Sequence, residues 1–335
     1  MFIDDNTLSE GLTVVIPTYG RTEKILNSIH SCLHPKIFII VIDDNGLNSP
    51  NQQATKKLID SLSPKYTTNL VYYALDVNSG ACIARNKGIE LASTSVVTFL
   101  DDDDILLVEE TLQKLEFFGQ QVDSEICCSD MLSRFNGKEY QLPFCFFRGL
   151  TPISLLEDGN CYTPMIMAKK DLLKRIGGFD NCKKYQDHVL MLKIHLNNVK
   201  VCFYENATFV HVDHDEFRIS NNPCSYQTVK MRFKYEFDLL EKIDLNVNKY
   251  NELKKIIVNR KRYLCFYFIM LPRFNGFKKC FLGTKRFLMS YDNSNSNSKS
   301  KIYINYTSLL YALKTINGLP FIIKRSAYML KGKNK

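Results

Sequence analysis

Between residues 12 and 132, short β-branched runs alternate with segments whose apolar residues recur at helical spacing, and no other feature constrains the fold as much. Leu12-Thr-Val-Val-Ile16 is stopped by Pro17, after which Ile25, Ile29, Cys32 and Leu33 share one helical face. Ile37-Phe-Ile-Ile-Val-Ile42 is almost wholly β-branched or aromatic, the composition of a strand covered on both faces. A polar helical stretch with Leu58 and Leu62 leads to the strand Leu70–Ala74. Ala81, Ala84, Gly88, Leu91 and Ala92 then give a helix a smooth packing face, and the strand Ser95–Leu100 follows. Strands separated by helices predict an α/β fold: a Rossmann-like, mostly parallel central sheet flanked by helices, with right-handed crossovers. Sheets of this kind take their ligands outside the carboxyl ends of the strands.

Downstream, Pro164–Ala168 reads as a strand, and Asp171 as the cap of a short helix, Leu172–Ile176, that Gly177-Gly178 ends. Residues 187–197 have helical spacing, while Val199–Tyr204 and Ala207–His211 read as a closing pair of strands. Val229, Phe233, Phe237 and Leu240 form one helical stripe, and further helical segments are expected near 248–270, 274–290, 303–316 and 319–331. Charge divides the 335-residue chain. Residues 221–335 hold 23 lysines and arginines against 6 acids, whereas 1–220 hold 21 against 29. The expected organisation is therefore a ligand-binding domain over 1–220 and a basic α-helical region over 221–335.

The eleven cysteines show no CxxC spacing, which argues against zinc ribbons and thioredoxin-type motifs. Met1-Phe-Ile-Asp-Asp lacks the basic start and apolar core of a signal peptide, and the longest apolar stretch, Tyr263–Leu271, is too short to span a bilayer. A reducing cytoplasm is the expected setting.

Polar residues punctuate the ends of successive strands: Pro17-Thr-Tyr-Gly-Arg21, Asp43-Asp44-Asn45, and Asp101-Asp102-Asp103-Asp104. Asn78-Ser-Gly80 opens a helix carrying Arg85 and Asn86. Adjacent aspartates repel, so four at a strand end cost stability unless a cation shares the site. Their hard oxygens suit Mn²⁺ or Mg²⁺, ions that often hold a substrate diphosphate at the same time. The plainer reading is a solvated acidic turn with Asp104 capping the next helix. Taken singly, Tyr19 reads as a half-buried packing residue, Asp43-Asp44 as a turn and Arg85 as a solvated helix residue. In this order they describe a site for a nucleoside diphosphate and a divalent ion: an aromatic to stack on a base, a carboxylate for a base N–H, and a helix N-terminus with an arginine for diphosphate.

These segments resemble glycosyltransferase family 2, the inverting group with the GT-A fold. The resemblance is carried by Val15–Arg21, Ile40–Asn45, Asn78–Gly88, Thr98–Asp104, Ile176–Asp180 with Gln186-Asp187, and His211-Val-Asp-His214, and covers residues 12–220. It implies that Pro17, Tyr19 and Asp44 border the uracil or thymine of a nucleotide-sugar donor, with Arg21 closing the first of these loops. Arg85 lies near the ribose and diphosphate. Asp101-Asp102-Asp103 matches the DxD motif, with Asp103 on the metal and Asp102 near the ribose. Asp187 falls where the family keeps its catalytic base, although Gln186 replaces the usual preceding glutamate. His214 matches a histidine that approaches the metal or diphosphate, and His211 is the alternative.

The implied reaction is transfer of a sugar, from a UDP-sugar by family habit, to a hydroxyl of a saccharide or lipid-linked saccharide in surface-polysaccharide synthesis. The basic, aromatic-rich tail (Phe277, Lys278, Lys279, Lys285, Arg286, Phe287) is expected to meet an anionic membrane surface, peripherally on the cytoplasmic face of the inner membrane. Nucleic acid is a weaker partner for the same charge, since no recognition module accompanies it. A sugar nucleotidyltransferase would need a Gly-rich basic loop after the first strand, and a non-catalytic docking protein would have lost the aspartates. A calcium loop fails because Ile105 and Leu107 stand where oxygen ligands belong.

Overall fold

The computed structural model describes residues 11–62, 68–135, 138–141, 145–212 and 226–270. One compact unit runs from Met1 to Ile257 and a second from Val258 to Lys335. The first is built on a sheet whose left half is parallel: β1 (Leu12–Thr18), β2 (Ile37–Asp43), β3 (Leu70–Ala74) and β4 (Val96–Phe99), in the order β3-β2-β1-β4. β1 is buried at every position and β2 at all but one, as their apolar runs require. Each fully buried Ile or Val there contributes about 1.5–3 kcal/mol. Helices α1 (Ile25–Ser31), α2 (Pro50–Asp60) and α3 (Ala81–Leu91) supply the crossovers. Gly88 lets α3 approach β1, since a Cβ there would stand 2.2 Å from Val15 Cγ1.

The other half extends this sheet through β8 (Ile166–Lys169), β6 (Ser124–Phe135), β9 (Lys200–Val212) and the short β5 (Ile105–Leu106). β8 is antiparallel to both β4 and β6, β9 runs parallel to β6, and β7 (Lys138–Gln141) hairpins onto the end of β6. Helices α4 (Val108–Gln120), α5 (Pro152–Asp158), α6 (Lys170–Arg175), α7 (Gln186–Leu196), α8 (Tyr226–Lys242) and α9 (Val247–Met270), with a 3₁₀ turn at Thr163–Met165, complete the described elements.

Four local expectations are corrected. The two strands expected over 199–211 are one, β9: Tyr204 pairs with Ser129 and Ala207 with Asp130, so the exposed Glu205 and Asn206 bulge out while the ladder continues. Asp104 does not cap a helix, because β5 intervenes and Leu107 is the residue before α4. Asp171 lies in the first turn of α6 rather than at its cap, which is Lys169. Finally, the first unit extends past residue 220. The stripe of Val229, Phe233, Phe237 and Leu240 on α8 is buried in it, and α8 bonds to α7 through Lys242 Nζ and the Leu196 carbonyl at 2.5 Å. The segments expected beyond residue 270 lie outside the described residues.

Candidate active site

The carboxyl ends of β1, β2 and β4 bring the loops at 18–21, 43–46 and 101–104 to one edge of the sheet. Thr18 and Arg21 from the first loop hold the third. Thr18 Oγ1 donates to Asp102 Oδ2 at 2.7 Å, and Arg21 Nη1 reaches Asp102 Oδ1 at 3.0 Å and Asp103 Oδ2 at 2.5 Å. Asp102 is nearly inaccessible, and burial together with the charge of Asp103 pushes its carboxyl up to about 7 against the pull of Arg21. Tyr19, next to Pro17-Thr18, is 60% exposed, so it is not a packing residue.

Asp44 is buried, and its two oxygens accept the backbone N–H of Ser79 at 2.6 Å and of Gly80 at 2.8 Å. It stitches the second loop to the start of α3, where Gly80 adopts φ +93°. Asp43 is structural. It receives the Asn45 N–H at 2.9 Å and the Tyr72 hydroxyl at 2.8 Å.

Arg85 joins the two halves of the site. Its Nη2 donates to Asp101 Oδ1 at 2.7 Å and its Nη1 to Gln186 Oε1, while its Nε is buried without a partner among the described residues. The acidic loop is thereby tied to the first residue of α7, the helix that carries Asp187. Asp187 is half-buried and accepts the His188 N–H at 2.7 Å. Burial pushes its carboxyl up to about 6, opposed by the His188 N–H and the charge of Arg85, and assisted by Asp101. Asp187 is the second residue of α7, and the residue before the helix is Tyr185.

The approach to α7 is fixed from three sides. Asn86 clamps Phe179 by accepting its N–H and donating to its carbonyl, both at 2.8 Å. Gly177 and Gly178 take φ +74° and +58°, and a Cβ on Gly178 would fall 2.2 Å from Asn86 Oδ1. Asp180 accepts from Lys193 Nζ at 2.8 Å and from the Tyr235 hydroxyl at 2.7 Å. Tyr185 holds the left-handed conformation, φ +60°, with Arg232 stacked over its ring at 4.4 Å.

Sequence reasoning missed the strut role of Gln186 and the clamps at Asn86 and Asp180. Asn86 and Asp180 lie inside recognisable motifs, but their partners are 93 and 55 residues away. Asp104, instead of capping a helix, accepts His211 Nδ1 and the Val212 N–H, each at 3.0 Å. His214 lies outside the described residues. No three His, Cys, Asp or Glu side chains converge as a ready-made metal cage among the described residues. The donor set of Asp101 and Asp103 nevertheless fits a hard divalent ion that takes its remaining oxygens from a ligand.

Residues 13–177 match the profile of glycosyl transferase family 2. The chain carries a glycosyl transferase family 2 domain. Relatives of this domain include TuaG of Bacillus subtilis strain 168, named for teichuronic acid biosynthesis, at 36% identity over 116 residues, 33% of this chain and 42% of TuaG. TarP of Staphylococcus aureus, a poly(ribitol-phosphate) beta-N-acetylglucosaminyltransferase, is 31% identical over 121 residues, 34% of this chain and 35% of TarP. The chain thus spans less than half the length of either relative. Among solved structures, residues 1–349 of S. aureus TarS in complex with UDP-GlcNAc superpose with a TM-score of 0.58 at 21% identity, covering 80% of this chain and 75% of that one. The family 2 domain therefore has the GT-A fold expected for it.

Proposed function

We propose that this chain is an inverting glycosyltransferase that moves a sugar from a nucleoside-diphosphate donor to a hydroxyl of a saccharide acceptor during synthesis of a cell-surface polymer. The observation that carries this reading is the Arg85 strut: it links the acidic loop to the first residue of the helix of Asp187, so that the cation-seeking aspartates and the candidate base share one scaffold. UDP-sugars are the favoured donors, because TarS was captured with UDP-GlcNAc in the same fold. Pro17, Tyr19 and Asp44 border the base, and Arg21, Arg85, Asp101 and Asp102 surround the ribose and diphosphate. Asp103, with Asp101 and with His214 as a further donor, would hold Mn²⁺ or Mg²⁺, and the ion would supply Lewis-acid stabilisation to the departing diphosphate.

Asp187 takes the acceptor proton. With its carboxyl raised to about 6, it is ionised at neutral pH yet more basic than an ordinary aspartate, the balance general-base catalysis favours. Gln186, a neutral amide, leaves Asp187 as the single acid at this helix end and spends its own oxygen on Arg85. The acceptor is a saccharide or lipid-linked saccharide, reached from the cytoplasmic face of the membrane.

The test is a panel of UDP-hexoses, UDP-N-acetylhexosamines and dTDP-rhamnose, assayed for sugar release with Mn²⁺ and with EDTA. Asp187→Asn is expected to keep UDP binding and lose about 10²–10⁴-fold in turnover. Turnover near that of the unaltered protein would remove Asp187 from the mechanism, and release of no sugar from any donor would remove the transferase reading.

A further inference from the structure

We propose that Glu236 is a positioning residue for Asp187: from α8 it fixes the residues on both sides of the Gln186-Asp187 pair and so aims the candidate base, an inference that rests on the glycosyl-transfer reading above. Glu236 is fully buried, and its partners His188 and Arg232 are buried with it. Its Oε1 accepts from His188 Nε2 at 3.1 Å and from Arg232 Nε at 2.8 Å. With Glu236 ionised, His188 carries a ring proton on Nε2.

One oxygen thus governs two neighbours of the pair. His188 follows Asp187 directly, and its backbone N–H donates to Asp187 Oδ1 at 2.7 Å. Where Glu236 holds the His188 ring, it therefore also holds the N–H on which that oxygen rests. On the other side, the Arg232 guanidinium lies 4.4 Å from the centroid of the Tyr185 ring. Tyr185 precedes α7 at φ +60°, a left-handed conformation that persists only where surrounding contacts enforce it. Between these two fixed residues, Gln186 is held by Arg85 through its Oε1 and by the Cys182 carbonyl through its Nε2, the latter at 3.0 Å.

Stability alone does not call for a charge at this place. The stripe that α8 buries is otherwise Val229, Phe233, Phe237 and Leu240. A carboxylate among them loses its hydration, its pairing with Arg232 and His188 only offsets that loss, and apolar side chains of similar volume often serve such a contact as well. What the carboxylate adds is direction, because hydrogen bonds fix angles that apolar packing leaves free. Nor does the docking of α8 depend on Glu236. The apolar stripe remains, with the Tyr235 hydroxyl on Asp180 at 2.7 Å and Lys242 Nζ on the Leu196 carbonyl at 2.5 Å. Loss of Glu236 should therefore loosen the first turn of α7 without releasing the helix. A base displaced by about 1 Å is enough to lower a rate on the order of 10²-fold.

Glu236→Leu and Glu236→Gln in the full chain test this, read by steady-state kinetics, UDP binding and amide exchange at His188 and Val189. Those two N–H groups bond to Asp187 Oδ1 and to the Tyr185 carbonyl, at 2.7 and 2.8 Å. Leu, which keeps bulk but no acceptor, should lower kcat about 10–100-fold while the donor KM and the UDP dissociation constant stay near their original values. Exchange at His188 and Val189 should quicken. Gln, which keeps the accepting oxygen, should recover most of the rate and the protection. In an Asp187→Asn background, Glu236→Leu should cost no further activity, since a residue that acts through Asp187 then has nothing left to aim. Undiminished kcat in the Leu variant overturns the assignment. So does an equal loss in the Leu and Gln variants, a full further loss in the Asp187→Asn background, or a fall in UDP affinity that matches the fall in kcat. Should the unaltered protein transfer no sugar, the transferase reading fails and exchange decides the placement of the turn by itself. Faster exchange at His188 and Val189 in the Leu but not the Gln variant upholds it, and unchanged exchange overturns it.

Discussion

Asp187 titrates where the role proposed for it would make the titration visible. A general base works only when ionised, and burial has raised this carboxyl to about 6. The kcat/KM profile is expected to fall about tenfold per pH unit below pH 6 and to level off above it. Arg85 is one of the influences that lower this value, so Arg85→Met should move the acid limb to higher pH as well as reduce the rate. A limb that stays in place would mean that Arg85 does not act on Asp187 through its charge. Asp102 shows the same balance, with burial outweighing its pairing with Arg21. Its folded value of about 7 lies above the ordinary 3.8, so the folded state binds the extra proton between those values. The stability it contributes is complete below about pH 4 and is lost as pH rises through 7. Asp102→Asn should therefore flatten the decline in melting temperature between pH 5 and pH 8, measured in chelator. An unchanged slope would place that dependence elsewhere.

Among elements, helix α3 is the most exposed to a single methyl group. Gly88→Ala would set a Cβ 2.2 Å from Val15 Cγ1 and 2.8 Å from Cγ2, which forces α3 away from β1. A loss of about 1–3 kcal/mol in urea unfolding is expected, with Arg85 displaced and turnover reduced in parallel. Wild-type stability would mean that Val15 turns aside freely. The smooth face of α3 was legible in the sequence because small residues at helical spacing have few other uses, and β1, β2 and β4 were legible because burial on both faces leaves unbroken apolar runs. The edge strand β3, with Val71 and Tyr73 exposed, was legible from its β-branched and aromatic composition. β6 was not. Ser124-Glu-Ile-Cys-Cys-Ser-Asp mixes polar and apolar residues, since the strand is bordered by bulges and its Ser129 hydroxyl partners Lys114 Nζ inside the core at 3.0 Å. The donor-side loops could be read for the same local reason as the strands they end. The strut and the clamps could not, because each joins residues far apart in the chain.

At the scale of the whole molecule, the basic C-terminal third has no described structure beyond Met270, and among the described residues no helix is long and apolar enough to cross a membrane. Surface attachment remains the proposal for it. Each Lys or Arg near an anionic surface contributes about 1 kcal/mol. Replacing Lys278, Lys279, Lys285 and Arg286 with Glu is therefore expected to abolish co-sedimentation of the full chain with phosphatidylglycerol-containing vesicles at low salt. Undiminished pelleting would assign the charge another purpose. α8 has a different place, in the first unit, where it fastens both α7 and the segment leading into it: Tyr235 to Asp180, Arg232 over Tyr185, Glu236 to His188 Nε2 at 3.1 Å, and Lys242 to the last turn. A growing polypeptide must therefore leave the ribosome well past the last recognisable signature before the helix of Asp187 has its brace. A gene interrupted between the codons for His214 and Lys242 would encode a product with every hallmark of the family and the helix of Asp187 left unsupported.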